Sequence, residues 1–418
     1  MLPFCSKGGA LSLRFRRTVR FGCAATLLLL SPLYFISTST AASFGHSGDA
    51  ASTTLRFHAS GEWSIDPVTT VGGGSTELDA VSCISPSSCV AVGVSYAAGS
   101  NNSRSAAETW DGTTWSATAT PPVLADVTTS QLLGVSCVST NFCIAVGSDE
   151  RGTAGTTELT ERWNGTSWSE LPISPPSGVR VSQLRSVSCV SSTSCTAVGD
   201  GYKGLATAVS IGEQFNGVQW TSQSIPFPAG ASYVQLQGVS CPSSRVCVAV
   251  GTVGSRSPSS GGEFTLADRW NGTKWIQLSS VNTPGALYRG FEAVSCPTNA
   301  YCIAVGNDTN RAGENTTLSE VLTGSKWSSV RTPATPGGDF RNLFGVSCPS
   351  TTDCVAVGYY DTVGRIYNSV ADQWSGTAWA RQPTPNATIE TVYSELFGVS
   401  CSTSACSAVG NSLAISES

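Results

Sequence analysis

LFGVSCPSTTDCVAVG, residues 343–358, decides the fold, because nearly the same string occurs seven times. The other copies are LDAVSCISPSSCVAVG (78–93), LGVSCVSTNFCIAVG (133–147, with Leu132 as the leading leucine), LRSVSCVSSTSCTAVG (184–199), LQGVSCPSSRVCVAVG (236–251), FEAVSCPTNAYCIAVG (291–306) and LFGVSCSTSACSAVG (396–410). Their first cysteines stand at 83, 137, 189, 241, 296, 348 and 401, a spacing of 52 to 55 residues. A period of that length marks a propeller or solenoid with one supersecondary unit per repeat. VSC and CVAV are short β-prone runs joined by Pro/Ser-type turn residues, which predicts a hairpin.

A second piece recurs between these strings: ETWDGTTW (108–115), ERWNGTSW (161–168), EQFNGVQW (213–220), DRWNGTKW (268–275), EVLTGSKW (320–327) and DQWSGTAW (372–379). Asp-Gly or Asn-Gly between β-prone runs predicts a two-residue hairpin turn. Each period then holds four antiparallel strands, one propeller blade. The ends complete one another. LRFHASGEWSIDP (55–67) is a Trp hairpin before the first cysteine hairpin, and the seventh cysteine hairpin has no Trp hairpin after it. The expected fold is therefore an all-β, seven-bladed β-propeller, closed by pairing the N-terminal Trp hairpin with the C-terminal Cys hairpin. Closure would remove the free sheet edges.

An apolar strand ending in glycine, a variable loop, an acid two residues before an aromatic, a turn, Trp and a trailing proline form a pattern that resembles a kelch-type blade. CVAVG and ADQWSGTAWARQPTP, within 354–385, carry it most fully, and the pattern extends over residues 54–418. The repeat has one glycine where kelch repeats usually carry two, and it adds the cysteine pair. Its turn also resembles the Asp-box of sialidase-type propellers, short of one residue before the glycine. The kelch resemblance implies that the cysteine hairpin is the inner half of each blade. Copper chemistry like that of galactose oxidase, a kelch-type propeller, would require histidine ligands. The two histidines, His46 and His58, both precede the first cysteine string.

Arg14, Arg16, Arg17 and Arg20 precede the apolar stretch Phe21 to Ile36, and small residues follow to Ala42. This reads as a signal peptide over 1–42, with an uncleaved anchor as the alternative, then a linker over 43–53 and the propeller over 54–418. Export to a secreted or cell-surface location puts the fourteen repeat cysteines in an oxidising compartment. The predicted disulfides are Cys83–Cys89, Cys137–Cys143, Cys189–Cys195, Cys241–Cys247, Cys296–Cys302, Cys348–Cys354 and Cys401–Cys406. Only 12% of residues are charged and the net charge is −5, so nucleic acid is not an expected partner. No metal or cofactor is expected, and a monomer is.

Features repeated in every blade read as scaffold: the tryptophans, and the acids Glu108, Glu161, Glu213, Asp268, Glu320 and Asp372. Function is expected where repetition fails. The long loops all leave one face, and variable loops on a rigid scaffold carry binding sites. Inside the cysteine string one position varies: Asp79, Leu133, Arg185, Gln237, Glu292, Phe344 and Phe397. These begin the inner strands and are expected to ring the channel mouth on the long-loop face. Tyr359, Tyr360, Tyr367 and Tyr393 lie nearby in sequence. The candidate ligand-binding set is Asp79, Arg185, Gln237, Glu292, Phe344, Phe397 and these four tyrosines. The alternative at each is a core or surface side chain. The leading expectation is a non-enzymatic propeller binding an extracellular glycan or protein. A carbohydrate-active hydrolase or lyase using Asp79 and Glu292, and a structural surface protein without a specific ligand, are the other readings.

Overall fold

The computed structural model describes residues 50–57, 63–66, 75–97, 102–152, 155–204, 207–255, 262–282, 286–334, 340–362, 367–385, 394–402 and 405–413. Side chains of 50–57, 65–66, 255, 286 and 412–413 are not among those described. The segment read as a signal peptide lies outside these residues. The described residues form antiparallel blades of four strands and no α-helix. Blade 6 shows the plan. Its inner strand Arg341–Ser350 pairs with Asp353–Asp361, which pairs with Tyr367–Trp374, which pairs with the outer strand Trp379–Gln382. Blades 1 to 5 begin at Ser75, Thr129, Val179, Ala231 and Ala286.

Blade 7 comes from both ends of the chain. Inner strand Ser394–Cys401 pairs with Cys406–Leu413, which pairs with Ala50–Phe57, which pairs with Trp63–Asp66. The closing register runs from Ala50 opposite Leu413 to Phe57 opposite Cys406. Residues 50–53, read from the sequence as linker, are thus the first paired residues of this blade; the β-prone run begins earlier than the Trp motif that marked it.

Three features of the repeated string close the ring. The serine of each VSC accepts a hydrogen bond from the backbone N–H of the next blade's first cysteine. Cys137 donates to Ser82 at 3.0 Å, Cys189 to Ser136 at 2.9 Å, Cys241 to Ser188, Cys296 to Ser240 and Cys348 to Ser295 at 3.0 Å, and Cys401 to Ser347 at 2.9 Å. Cys83 donates to Ser400 at 2.9 Å and completes the circle. Second, the residue before Val is small in every copy: Ala80, Gly134, Ser186, Gly238, Ala293, Gly345 and Gly398. A Cβ on Gly398 would lie 3.0 Å from the Cα of Ala80, so only small residues let neighbouring inner strands approach this closely. Third, seven apolar clusters fill the seven blade interfaces. Trp168 joins Val90 and Val92 between blades 1 and 2, Trp63 joins Val355 and Val357 between blades 6 and 7, and Val409 joins Trp110 and Trp115 between blades 7 and 1.

The predicted cysteine pairs are all bonded, with Cα atoms 3.9–4.0 Å apart. An oxidising, extracytoplasmic environment maintains that state. The outer turns differ from expectation. In blades 1 to 4 the Asp or Asn is not a central turn residue. Asp111 Oδ1 accepts from the N–H of Thr113 at 2.8 Å and of Thr114 at 2.9 Å, and Asn164, Asn216 and Asn271 repeat the arrangement. The side chain captures backbone donors that strand pairing would otherwise use, so the ladder ends at Trp110 opposite Trp115. Gly112 follows at φ 102°, a conformation that favours glycine. Blade 5, which has Thr323 at the Asx position, keeps pairing to a two-residue turn between Thr323 and Lys326.

Candidate functional site

Each inner strand carries a β-bulge at its variable position. In blade 6, Leu343 pairs with Gly358 and Gly345 with Val357, so Phe344 is the extra residue. The same shift falls at Asp79, Leu133, Arg185, Gln237, Glu292 and Phe397. The glycine ending each AVG makes the bulge possible: a Cβ on Gly358 would sit 1.9 Å from the backbone oxygen of Asn342, and the six equivalents are as tight. A bulge leaves its extra residue unpaired and re-aims that side chain. The variable residue of the string is therefore released from the ladder in every blade.

Phe344 and Phe397, bulge residues of adjacent blades, meet edge to face with ring centroids 5.7 Å apart. Tyr359, the residue after Gly358, stacks on Phe344 at 5.1 Å and on Phe340 at 5.4 Å. Tyr367 and Phe397 make T-shaped contacts with it at 5.3 and 6.3 Å. Burial pushes the Tyr359 phenol well above its ordinary pKa, and Glu395, Tyr367, Glu292 and Glu77 push in the same direction. A blade 6 side chain that feels carboxylates of blades 5, 7 and 1 stands where those blades converge, near the ring axis. Glu77 and Glu292 are buried, while Asp79, Glu395, Phe340, Tyr367 and Phe397 are partly exposed.

The remaining candidates divide. Arg185 is buried, and its Nε donates to Asp200 Oδ1 at 2.5 Å while Gln183 reaches the same carboxylate at 3.3 Å. That ion pair occupies the one cation of the bulge ring. Gln237 is buried with Oε1 unbonded among the described residues. Glu292 Oε1 accepts from Asn342 Nδ2 at 3.3 Å. Tyr360 points away from the cluster and packs into the apolar interface of blades 5 and 6. Tyr393 lies outside the described residues. Phe340, Asn342, Glu77 and Glu395 were missed in the sequence. The residue immediately before each leading Leu or Phe reads Glu77, Gln131, Gln183, Gln235, Gly290, Asn342 and Glu395, a second variable polar ring that the aligned string stopped short of.

The repeated acids of the third strands lie buried between blades, opposite the alanine of each AVG string. Glu161 accepts from Ser105 of the preceding blade at 3.3 Å and Glu213 from Ser222 at 2.7 Å. Glu320 accepts from Arg289 at 3.1 Å and Asp372 from Arg381 at 2.5 Å. Burial raises the pKa of Glu108, Glu213 and Asp268 to about 7 and that of Glu161 to about 8. Burial also raises Glu320 and Asp372, even beside their arginines. In the loop at 307–315, Asp308 pairs with Arg289 at 2.8 Å, and Asn310 Oδ1 accepts from the N–H of Ala312 and of Glu314. Among the described residues no group of three or more His, Cys, Asp or Glu is placed to hold a metal.

A cleft of about 180 Å³ opens on the short-turn side between blades 1 and 2, among Ser82, Ser88, Trp110, Ser139 and Trp163. Its indoles donate to the backbone oxygens of Pro86 and Thr140, so they brace the turns. It is remote from the aromatic cluster.

No protein-family model matches the chain, and no curated protein matches it. Solved structures similar to it include YCF48 bound to D1 peptide, at 12% identity over 84% of this chain and 100% of that one, TM-score 0.45. A PL25 ulvan lyase bound to -[GlcA(1-4)Rha3S]- is similar at 8% identity over 88% and 96%, TM-score 0.49. The fucose-specific lectin from Aleuria aurantia is similar at 10% identity over 75% and 99%, TM-score 0.41. At these identities and TM-scores none bears on what this chain binds. The propeller rests on its own strand pairing.

Proposed function

We propose that the chain is an exported, monomeric, kelch-like propeller that binds an extracellular glycan or protein at the mouth of its ring axis, without catalysis. The observation that carries this reading is the aromatic cluster of Phe340, Phe344, Tyr359, Tyr367 and Phe397, set among carboxylates where the blades converge. Bulges hold two of the rings, and nothing in the repeat itself calls for aromatic residues there. Ligand sites combine apolar and aromatic walls with a few placed polar groups, and this arc has both.

Phe397→Ala is the test, because Phe397 is partly exposed and its loss removes ring surface with little core volume. Pull-down of a cell-wall glycan or an extracellular partner is expected to fail while the melting temperature holds. Turnover of a polysaccharide by the wild-type chain, lost in Glu292→Gln, would replace this reading with that of a hydrolase or lyase. Unchanged pull-down by Phe397→Ala would move the site elsewhere.

A further inference from the structure

We infer that the group bound at this mouth is an organic cation, an ammonium or guanidinium; the inference rests on the mouth being a ligand site. Its walls are of two kinds. The rings form one cluster, with Tyr359 stacked at interplanar angles of 25° and 19° on Phe340 and Phe344, and T-shaped to Tyr367 and Phe397 at 71° and 82°. Phe340, Tyr367 and Phe397 of this cluster are partly exposed beside carboxylates, and a cation is attracted by the negative face of an aromatic ring. The rest of the wall is made of acceptors. Glu77, Glu292 and Glu395 lie within electrostatic reach of the central tyrosine, and Asp79 occupies the bulge next to that of Phe397 around the ring. Arg185, the cation of the bulge ring, is already taken by Asp200.

A second, independent observation also favours a donor. Asn342 is 1% exposed, and its amide donates to Glu292, which leaves its Oδ1 without a hydrogen-bond partner among the described residues. Gln237, released by the bulge of the blade before Glu292, is 4% exposed with Oε1 in the same condition. A buried acceptor left unbonded is costly, and a ligand rich in donors would satisfy these oxygens. A primary ammonium has three N–H donors and no acceptor, and a guanidinium has five. A sugar hydroxyl has one donor and adds acceptor lone pairs of its own.

Two sources share this chemistry, a lysine-bearing peptide and an amino sugar, and calorimetry on the mature chain separates them. The probes are penta-lysine and chitotetraose, with the fully N-acetylated tetramer as the neutral control. One amine probe is expected to bind, its affinity falling about tenfold in both Phe397→Ala and Glu395→Gln and falling again as salt is raised. Glu395→Gln keeps side-chain volume and serves as the check if Phe397→Ala melts early. Binding of the neutral control as tightly as its amine counterpart would overturn the inference; if Phe397→Ala abolishes that binding, the ligand site itself stands. Amine binding untouched by both variants would remove both readings. Silence from both amine probes at millimolar concentration would overturn the cation alone.

Discussion

Glycine 358 and its six counterparts show how one residue type fixes a site it does not touch. With a Cβ only 1.9 Å from the oxygen of Asn342, Gly358→Ala cannot keep the bulge that releases Phe344. Denaturant unfolding is expected to show a loss of about 3 kcal/mol, the upper end of overpacking costs, together with weakened ligand binding. The buried acids set a pH dependence whose sign follows from their pKa values. In the unfolded chain these carboxylates ionise near 4 to 4.5, whereas in the fold Glu108, Glu213 and Asp268 hold their protons to about 7 and Glu161 to about 8. Between those limits the fold binds more protons than the unfolded chain, so its stability falls as pH rises. The melting temperature is expected to be higher at pH 5 than at pH 8, and Glu161→Gln to flatten that slope. A flat wild-type profile would show that these acids ionise in place.

Two elements recur, and each is held by a different device. The cysteine hairpin is tied covalently at its turn end and by its serine to the neighbouring blade. Replacing Ser347 by Ala leaves the N–H of Cys401 without its acceptor, and a loss of about 1 kcal/mol is expected in chemical denaturation. Each disulfide closes a loop of only about seven residues, worth roughly 2 kcal/mol in the chain-entropy model. Removing one pair, Cys348 and Cys354 together to Ala, should therefore lower the denaturation midpoint without abolishing folding. The Trp hairpin has no such tie. In blades 1 to 4 its turn depends on an Asp or Asn side chain, and its indoles reach neighbouring parts of the fold, as Trp168 donates to Thr118 of the preceding blade and Trp379 to Ser319 of the preceding blade. Asn-Gly announced a turn correctly. Its type was not legible, because backbone and side chain compete for the same donors and the tertiary fit of the turn on the cysteine hairpin decides between them.

The ring as a whole stands on the pairing of Ala50–Phe57 with Cys406–Leu413. Deleting residues 50–66 would strip the edge of Cys406–Leu413, and an open edge recruits other chains. Size-exclusion chromatography of that truncation is expected to show oligomers or aggregate, whereas a circular permutant that opens the chain between blades 3 and 4 keeps every pairing and should run as the parent. A monomeric, equally stable truncation would mean that closure contributes little. The sequence alone determined blade number, strand order, the disulfides and the half-blade offset that closes the ring, because each is a local pattern repeated often enough to be read against itself. It also marked the variable residue in each string. What those residues do together was left to the tertiary structure. Whether Arg185 is free or spent on Asp200, whether Tyr359 joins Phe344 and Phe397 or packs outward like Tyr360, and which amide lies unbonded beside Glu292 are settled where seven strands meet at one axis. The reason is physical: contacts across that axis join residues about fifty to more than three hundred positions apart, and no local period records the identity of a neighbour that only ring closure supplies.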